Sequence, residues 1–262
     1  VPPKTLTPET VTALIAEALD ENLEEGPASL VKNDEQRRPT LLILDEAQNF
    51  FLARIGGLEG WRTLLRLTNA RLDNLFWLVL LNNQSWAYLC NVFGRDYQFR
   101  NVVRVKPWGQ SEIRSLILSR HHLSGQTLRY DEVLLSSRGP EAGNVRNAEQ
   151  RYFSLLWDAC RGNPMAALKL WLSSVKVSQR QVLVGLPAKP QGSAVEKAGE
   201  NLLFVYAAIA THENLSSGEI VAATDLPENV VRYALKAGFD AGFIRQSDDG
   251  RYRMVPLWYH TV

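Results

Sequence analysis

The stretch Leu41–Phe50 reads LLILDEAQNF and decides how the first part of the chain folds. Its first four residues form an apolar run without polar alternation, which is typical of a strand covered on both faces in a parallel sheet. The run ends in two adjacent carboxylates, Asp45 and Glu46. Open α/β sheets bind ligands at the carboxyl ends of their strands, so we expect both side chains at such an edge. The alternative is a strand that ends in a solvated acidic turn.

A second apolar run, Leu75–Leu81, ends in the amides Asn82 and Asn83. An amide at this place can hydrogen-bond both a phosphate oxygen and an attacking water, which suits phosphoryl chemistry. The structural alternative is an asparagine in an ordinary strand-end turn. Val102–Val105 is predicted as a third short strand, and the apolar spacing over Trp61–Asn69 predicts a helix between the first two strands.

The composition excludes several classes of protein. Of the 262 residues, 45% are hydrophobic and 22% are charged, which is typical of a folded globular chain rather than a disordered, collagenous or coiled-coil one. The formal net charge of +1 gives no global attraction to nucleic acid or anionic lipid. Cys90 and Cys160 cannot form a four-ligand metal site or a disulfide framework, so we expect a cytoplasmic protein.

Changes of pattern divide the chain into four predicted parts. Within the first part, the polar stretch 24–40 lacks periodicity and is predicted as a loop. Strand signals stop at Pro107, and near the end of the chain Asp249-Gly250 marks a hairpin tip. The parts are an α/β core with a partial parallel sheet (1–106), an all-α helical module (107–184), a linker (185–197) and a C-terminal winged helix-turn-helix (198–262).

In their order, these motifs resemble those of the AAA+ superfamily of P-loop ATPases, in particular its STAND and origin-recognition-like branches. LLILDEAQNF resembles a Walker B motif, and the strand before Asn82 and Asn83 resembles the sensor-1 strand. Residues 99–120 resemble the junction between an AAA+ core and its helical lid. Arg161–Leu168 stands at the place of the sensor-2 helix, and a winged helix after the lid completes the order.

The resemblance implies a role for each matching residue. Asp45 would hold Mg²⁺, and Glu46 would be the base that activates the attacking water. Asn82 or Asn83 would be sensor 1.

The same resemblance assigns roles to residues further along the chain. Arg95 or Arg100 would be an arginine finger that completes a neighbouring subunit's site, whereas surface solvation is the plain alternative for both. In the STAND version of the lid, Gly162, Asn163 and Pro164 would contact the nucleotide.

Two departures from the family pattern bear on catalysis. The chain contains no G-x-x-x-x-G-K-[ST] loop, and Lys4-Thr5 follows prolines instead of glycines. Met165 stands where many sensor-2 motifs have an arginine. The chain begins at Val1 rather than methionine, so we expect a piece of a longer protein with the loop upstream. This chain alone should therefore bind ATP and Mg²⁺ poorly, and hydrolysis is expected only with that loop.

The function implied is a nucleotide-dependent molecular switch that transmits ATP binding and hydrolysis to a partner through its lid and winged helix. A protein partner or self-association is favoured over DNA, because residues 198–262 contain five Lys or Arg against eight Asp or Glu. An autoinhibitory winged helix, as in STAND proteins, fits the same charge balance. Two alternatives stay open: a DNA-binding adaptor, and a catalytically inactive AAA+ module used for assembly.

Overall fold

The computed structural model describes residues 7–94, 98–135, 145–188 and 199–259. It is a mixed α/β structure that divides into two compact units. The described residues of the first unit are those up to 103 together with 199–255, and those of the second are 104–188 and 256–259.

Helices and strands alternate in the first part of the chain, and short strands recur later. The helices are α1 Pro8–Leu19, α2 Pro27–Asp34, α3 Glu59–Thr68, α4 Asn83–Phe93, α5 Gln110–His122, α6 Asp131–Leu135, α7 Val145–Cys160, α8 Pro164–Ser174, α9 Glu200–His212, α10 Ser217–Thr224 and α11 Glu228–Asp240, with 3₁₀ turns at Ala47–Phe50 and Pro256–Trp258. The strands are β1 Thr40–Leu44, β2 Leu75–Val79, β3 Thr127–Arg129, β4 Val175–Ser178, β5 Gln181–Val184, β6 Ile244–Gln246 and β7 Tyr252–Met254.

The first unit is organised around the parallel pair β1 and β2, as the two apolar runs predict. One face of the pair packs on a core that includes Trp61 and Leu64 of α3, both fully buried. Burial of each large apolar side chain contributes roughly 1.5–3 kcal/mol. The other face is exposed, at Leu41 and Phe76 and at Ile43 and Leu78, which lie opposite each other in register. The expectation that both faces are covered is therefore wrong for the described residues.

Two further local predictions are also wrong. The stretch predicted as a loop over 24–40 contains α2, which begins with Pro27 at its first position and buries Leu30 completely. Conversely, the segment Val102–Val105 forms no strand. Val103 and Val105 are 90% and 82% exposed, and an extended segment needs a neighbouring strand to pair its backbone groups.

A buried ionic network fastens α2 to the sheet. Arg37 donates to both carboxylate oxygens of Glu21, at 2.7 and 2.6 Å, and to Asp34 at 2.6 Å. The second Asp34 oxygen accepts from the backbone N–H groups of Asp73 and Asn74, just before β2. The hydrogen bond from Arg37 lowers the pKa of Glu21. Burial on its own raises the pKa of Asp34, but the two backbone hydrogen bonds and Arg37 outweigh it, so that this pKa is also lowered.

The network predicts acid sensitivity. Because both carboxyl pKa values are lowered on folding, their contribution to stability is present at neutral pH. It is lost as the pH falls from about 4 through the folded-state pKa values. We expect Arg37→Ala to lower the free energy of unfolding by about 3 kcal/mol at pH 7, since it leaves two carboxylates unpaired. The exposed Arg62–Glu59 pair provides the control, and Arg62→Ala should cost under about 1 kcal/mol. Urea titrations at pH 7 and pH 3 measure both; equal losses in the two variants would contradict this account.

The second unit contains a sheet, so the prediction of an all-helical module over 107–184 is wrong. Strands β3, β5 and β4 form a three-stranded sheet in that order, with β3 parallel and β4 antiparallel to β5. The β-branched residues Val175 and Val177 face Val184 and Val182 across a tight turn at Gln179-Arg180. Strands of three or four residues are too short to produce a clear alternating pattern. The helices α5, α7 and α8 supply most of the core of this unit.

Residues 199–255, called here the C-terminal subdomain, contain α9, α10 and α11 followed by β6 and β7. The two strands pair antiparallel, from Ile244 opposite Met254 to Gln246 opposite Tyr252, which confirms the predicted hairpin. Tyr206 of α9 packs against α11, where its hydroxyl donates to the Ala234 carbonyl. Among the described residues, no helix is both long and apolar enough to cross a membrane.

Candidate functional site

The carboxyl ends of β1 and β2 form one edge, called here the strand-end edge. Just beyond the strands, the Leu80 N–H donates to the Leu44 carbonyl at 2.9 Å, and the Ala47 N–H donates to the Leu80 carbonyl at 2.8 Å. The chain turns away at this edge, leaving Asp45 exposed with its carboxylate accepting from the Glu46 N–H. The parallel pairing thus brings the predicted carboxylates and amides to the same edge.

Glu46 has an unusual backbone conformation at this edge. Its φ of 51° is left-handed, a region that costs a non-glycine residue about 1–2 kcal/mol. One carboxylate oxygen accepts from the Asn49 amide at 3.4 Å, and the other lies 3.9 Å from the Arg253 guanidinium of β7. A strained backbone held in place by the surrounding fold is common at functional sites.

Asn82 is the N-cap of α4. Its side-chain oxygen accepts from the Ser85 N–H at 2.7 Å, and its amide nitrogen donates to the Thr211 carbonyl at 3.4 Å. Asn83 is the first residue of α4, and its side chain is exposed. The two amides of the predicted sensor therefore differ: Asn82 is engaged in the fold, whereas Asn83 faces solvent.

The end of α9 packs on the strand-end edge, in a contact called here the α9-end contact. The Thr211 carbonyl accepts from the Ser85 hydroxyl as well as from Asn82. Two further hydrogen bonds follow along the chain, from the Gln48 amide to Glu213 at 2.8 Å and from the Ala53 N–H to the His212 imidazole at 3.2 Å. The ring of the buried His212 lies 4.8 Å from that of Phe51.

Sequence reasoning missed the α9-end contact entirely. Its partners are 126 to 165 residues apart along the chain, and no local pattern links such distant positions. Gln48 and Phe51, just after the acidic motif, are both buried in the structure, but this burial is not visible in the sequence.

The Gly162-Asn163-Pro164 motif lies in the second unit, where it starts α8. Gly162 has a left-handed φ of 75°, and a Cβ there would lie 2.5 Å from the Trp108 carbonyl oxygen, so only glycine fits. Asn163 caps the helix by accepting from two backbone N–H groups, and Pro164 occupies the first turn. The motif therefore has a complete structural explanation in addition to any contact with a ligand.

Of the two arginines predicted as fingers, the structure describes only Arg100. Arg95 lies outside the described residues. Arg100 is exposed in an irregular segment after α4. An exposed guanidinium can reach a neighbouring molecule, which an arginine finger requires.

The donor set at the strand-end edge partly fits Mg²⁺ and ATP. Carboxylate oxygens such as those of Asp45 and Glu46 are the ligands Mg²⁺ prefers, and Mg²⁺ commonly uses only one or two of them together with water and phosphate oxygens. Among the described residues, no group of three or more His, Cys, Asp or Glu could hold a metal ion on its own. The sequence also provides no glycine-rich loop to cradle phosphates.

The fold and the site define a mixed α/β protein with an acidic strand-end edge. Comparisons of this chain with known proteins do not narrow that class further. No protein-family model and no curated protein matches the chain. The ORC2 protein of Aeropyrum pernix, solved as ADPNP–ADP complexes, is similar at 15% identity over 95% of this chain and 71% of its own, with a TM-score of 0.34. Two mutants of RuvB from Thermotoga maritima are similar at 13% identity over 98% of this chain and 84% of their own, with TM-scores of 0.24 and 0.23. Similarity at this level identifies no family, so the function must be inferred from the chain's own residues.

Proposed function

We propose that this chain is the C-terminal part of an AAA+/STAND-type ATPase that works as a nucleotide-dependent molecular switch in the cytoplasm. In this proposal the residues up to 106 belong to the ATPase core, 107–184 are its lid, 185–197 a linker and 198–262 a winged helix. The observation that carries the proposal is the α9-end contact, because it joins the predicted catalytic edge directly to the C-terminal subdomain.

The proposed roles follow the chemistry of the side chains at this edge. Asp45, which is exposed, would hold Mg²⁺, and Mg²⁺ would supply charge neutralisation for the phosphates. Glu46 would accept a proton from the attacking water, and Asn82 or the exposed Asn83 would orient that water. Hydrolysis requires a phosphate-binding loop from outside this chain.

Further roles are proposed for the three-residue lid motif and for one arginine. Gly162 and Asn163, with Pro164, would contact the nucleotide, and Arg95 or Arg100 would act in a neighbouring subunit. These roles make the active form an assembly with another copy or with a protein partner.

The route of transmission is short. Asn82 and Ser85 donate to the same Thr211 carbonyl, so a shift of Asn82 toward a terminal phosphate would weaken one of the two bonds that hold the end of α9. Gln48 and Glu213 would be displaced with it. The nucleotide state would thus change how firmly the C-terminal subdomain is held.

The exposed face of α11 favours a protein partner over DNA. Tyr233 and Phe239 are 65% and 57% exposed, and aromatic side chains are enriched in protein interfaces. Of the two cations on this helix, Arg232 is already paired with Glu228 at 2.7 Å. On this helix, Lys236 is then the cation left for phosphate contacts, which dominate DNA affinity.

Hydrogen exchange of the full-length protein tests the switch. We expect amides at residues 211–214 to exchange at least about fivefold faster with Mg-ATP than with Mg-ADP, because the α9-end contact loosens. Amides of β5 in the second unit serve as the internal control. Tight binding of both nucleotides with identical exchange at residues 211–214 would contradict a switch and favour the inactive assembly module.

A further inference from the structure

The β6–β7 hairpin places two arginines side by side. Arg245 lies directly opposite Arg253 in the antiparallel register. Directly opposite residues project from the same face with Cβ atoms about 5 Å apart, and like charges in such a pair destabilise the sheet. Two cationic side chains thus leave the hairpin from directly opposite positions on one face, and an anion bound between them would offset their repulsion.

The same hairpin face reaches the strand-end edge. The Arg253 guanidinium lies 3.9 Å from the Glu46 carboxylate, which is too long for a hydrogen bond. Among the described residues, neither Arg253 nor Arg245 donates a side-chain hydrogen bond to any other group, so all their N–H donors are available. The Arg253 side chain is 26% exposed and therefore open to a ligand.

The other arginine of this hairpin has a different environment. Arg251 donates two hydrogen bonds to Glu219, at 2.8 and 3.2 Å, and its side chain is 14% exposed. Its charge is therefore already paired with that of Glu219 within the subdomain. The carboxylates Asp248 and Asp249 stand at the exposed hairpin tip, beyond the paired strands.

We propose that Arg253, with Arg245 beside it, is a phosphate-binding pair of the strand-end edge and contacts a nucleotide phosphate held there. This inference rests on the proposed function and names a cation to which the AAA+ resemblance assigns no role. A guanidinium binds phosphate oxygens in a bidentate manner and more strongly than a weak carboxylate contact at 3.9 Å. When Arg253 turns to the phosphate, it leaves Glu46, whose carboxylate then becomes free to accept a proton. The same movement of Arg253 would therefore couple phosphate binding to the loss of its contact with Glu46.

Equilibrium binding of Mg-ATP and Mg-ADP to the full-length protein tests the pair. We expect Arg253→Ala to raise Kd for Mg-ATP about tenfold, and Arg245→Ala about threefold, because each removes a charge-assisted contact to phosphate. Arg253→Lys should recover only part of the affinity, since an ammonium cannot form the bidentate contact. Arg232→Ala is the matched control, because Arg232 is an exposed arginine of the same subdomain paired with Glu228; its Kd should stay within about twofold.

The possible results distinguish a failure of the phosphate-binding pair from a failure of the proposed function. If Glu46→Gln keeps nucleotide bound without turnover and Arg253→Ala binds as tightly as the unmodified protein, the function stands and the phosphate-binding pair is wrong. If the unmodified protein does not bind nucleotide, both are wrong. An Arg245→Ala, Arg253→Ala double variant that loses duplex DNA binding while keeping nucleotide affinity would assign the pair to nucleic acid and overturn the inference. Thermal melting of each variant checks that the fold is retained.

Discussion

Replacing Glu46 with glutamine is expected to lower ATP turnover of the full-length protein by at least about a hundredfold while Mg-ATP stays bound. A positioned general base contributes roughly 10²–10⁴ in rate, and the amide of glutamine cannot accept the proton of the attacking water. The substitution keeps the size of the side chain, so its contact with Asn49 and the left-handed turn should persist. Steady-state turnover and equilibrium binding, measured on the same preparation, test both halves of this expectation.

Two further variants make the result specific. Asp45→Asn should instead weaken the Mg²⁺ dependence of nucleotide binding, because it removes the charged ligand of the metal. Glu59→Gln, which changes an exposed carboxylate at the start of α3, should leave turnover within about twofold. Normal turnover in the Glu46 variant would remove this pair of carboxylates from the mechanism and support the solvated acidic turn.

Replacing Phe51 with alanine is expected to lower the free energy of unfolding by about 4 kcal/mol. Phe51 is fully buried; it stacks on Tyr88 at 5.7 Å between ring centroids and meets Trp61 edge-on at 6.0 Å. It also contacts His212 at 4.8 Å, so the cavity would open between the core and the end of α9. Chemical denaturation measures the loss.

Phe239 supplies the control for this substitution. It is 57% exposed on α11, and a surface change of this kind usually alters stability by no more than about 0.5 kcal/mol. A Phe51→Ala loss as small as that of Phe239→Ala would mean that the fold does not depend on the ring contacts of Phe51 with Trp61, Tyr88 and His212.

The parts of the fold that could be predicted are those with a strong local pattern. Leu41–Leu44 and Leu75–Leu81 are continuous apolar runs, and the structure pairs them in parallel. Asp249-Gly250 selects a hairpin by turn chemistry alone. In contrast, α2 is short and polar, and β4 and β5 have only four residues each. They form because Arg37 and the core of the second unit hold them. Tertiary contacts of this kind leave no periodic signal in the sequence.

The candidate site was predictable to a similar extent. Parallel strands end at one edge, which explains why Asp45, Glu46 and Asn82 could be placed together from the sequence. The approach of Thr211 and Arg253 could not, because it depends on the packing of distant segments. Without those contacts, Asn82 would be described only as a helix cap.

The acceptor at the centre of the α9-end contact is a main-chain carbonyl, and this has an evolutionary consequence. Every amino acid at position 211 presents the same carbonyl oxygen, so replacement of Thr211 by mutation leaves the acceptor in place. Substitutions that strengthen or weaken these hydrogen bonds over evolution must therefore occur at the donors, Asn82 or Ser85. Because Asn82 also caps α4, the serine hydroxyl is the position at which drift could adjust the coupling with the least harm to the fold.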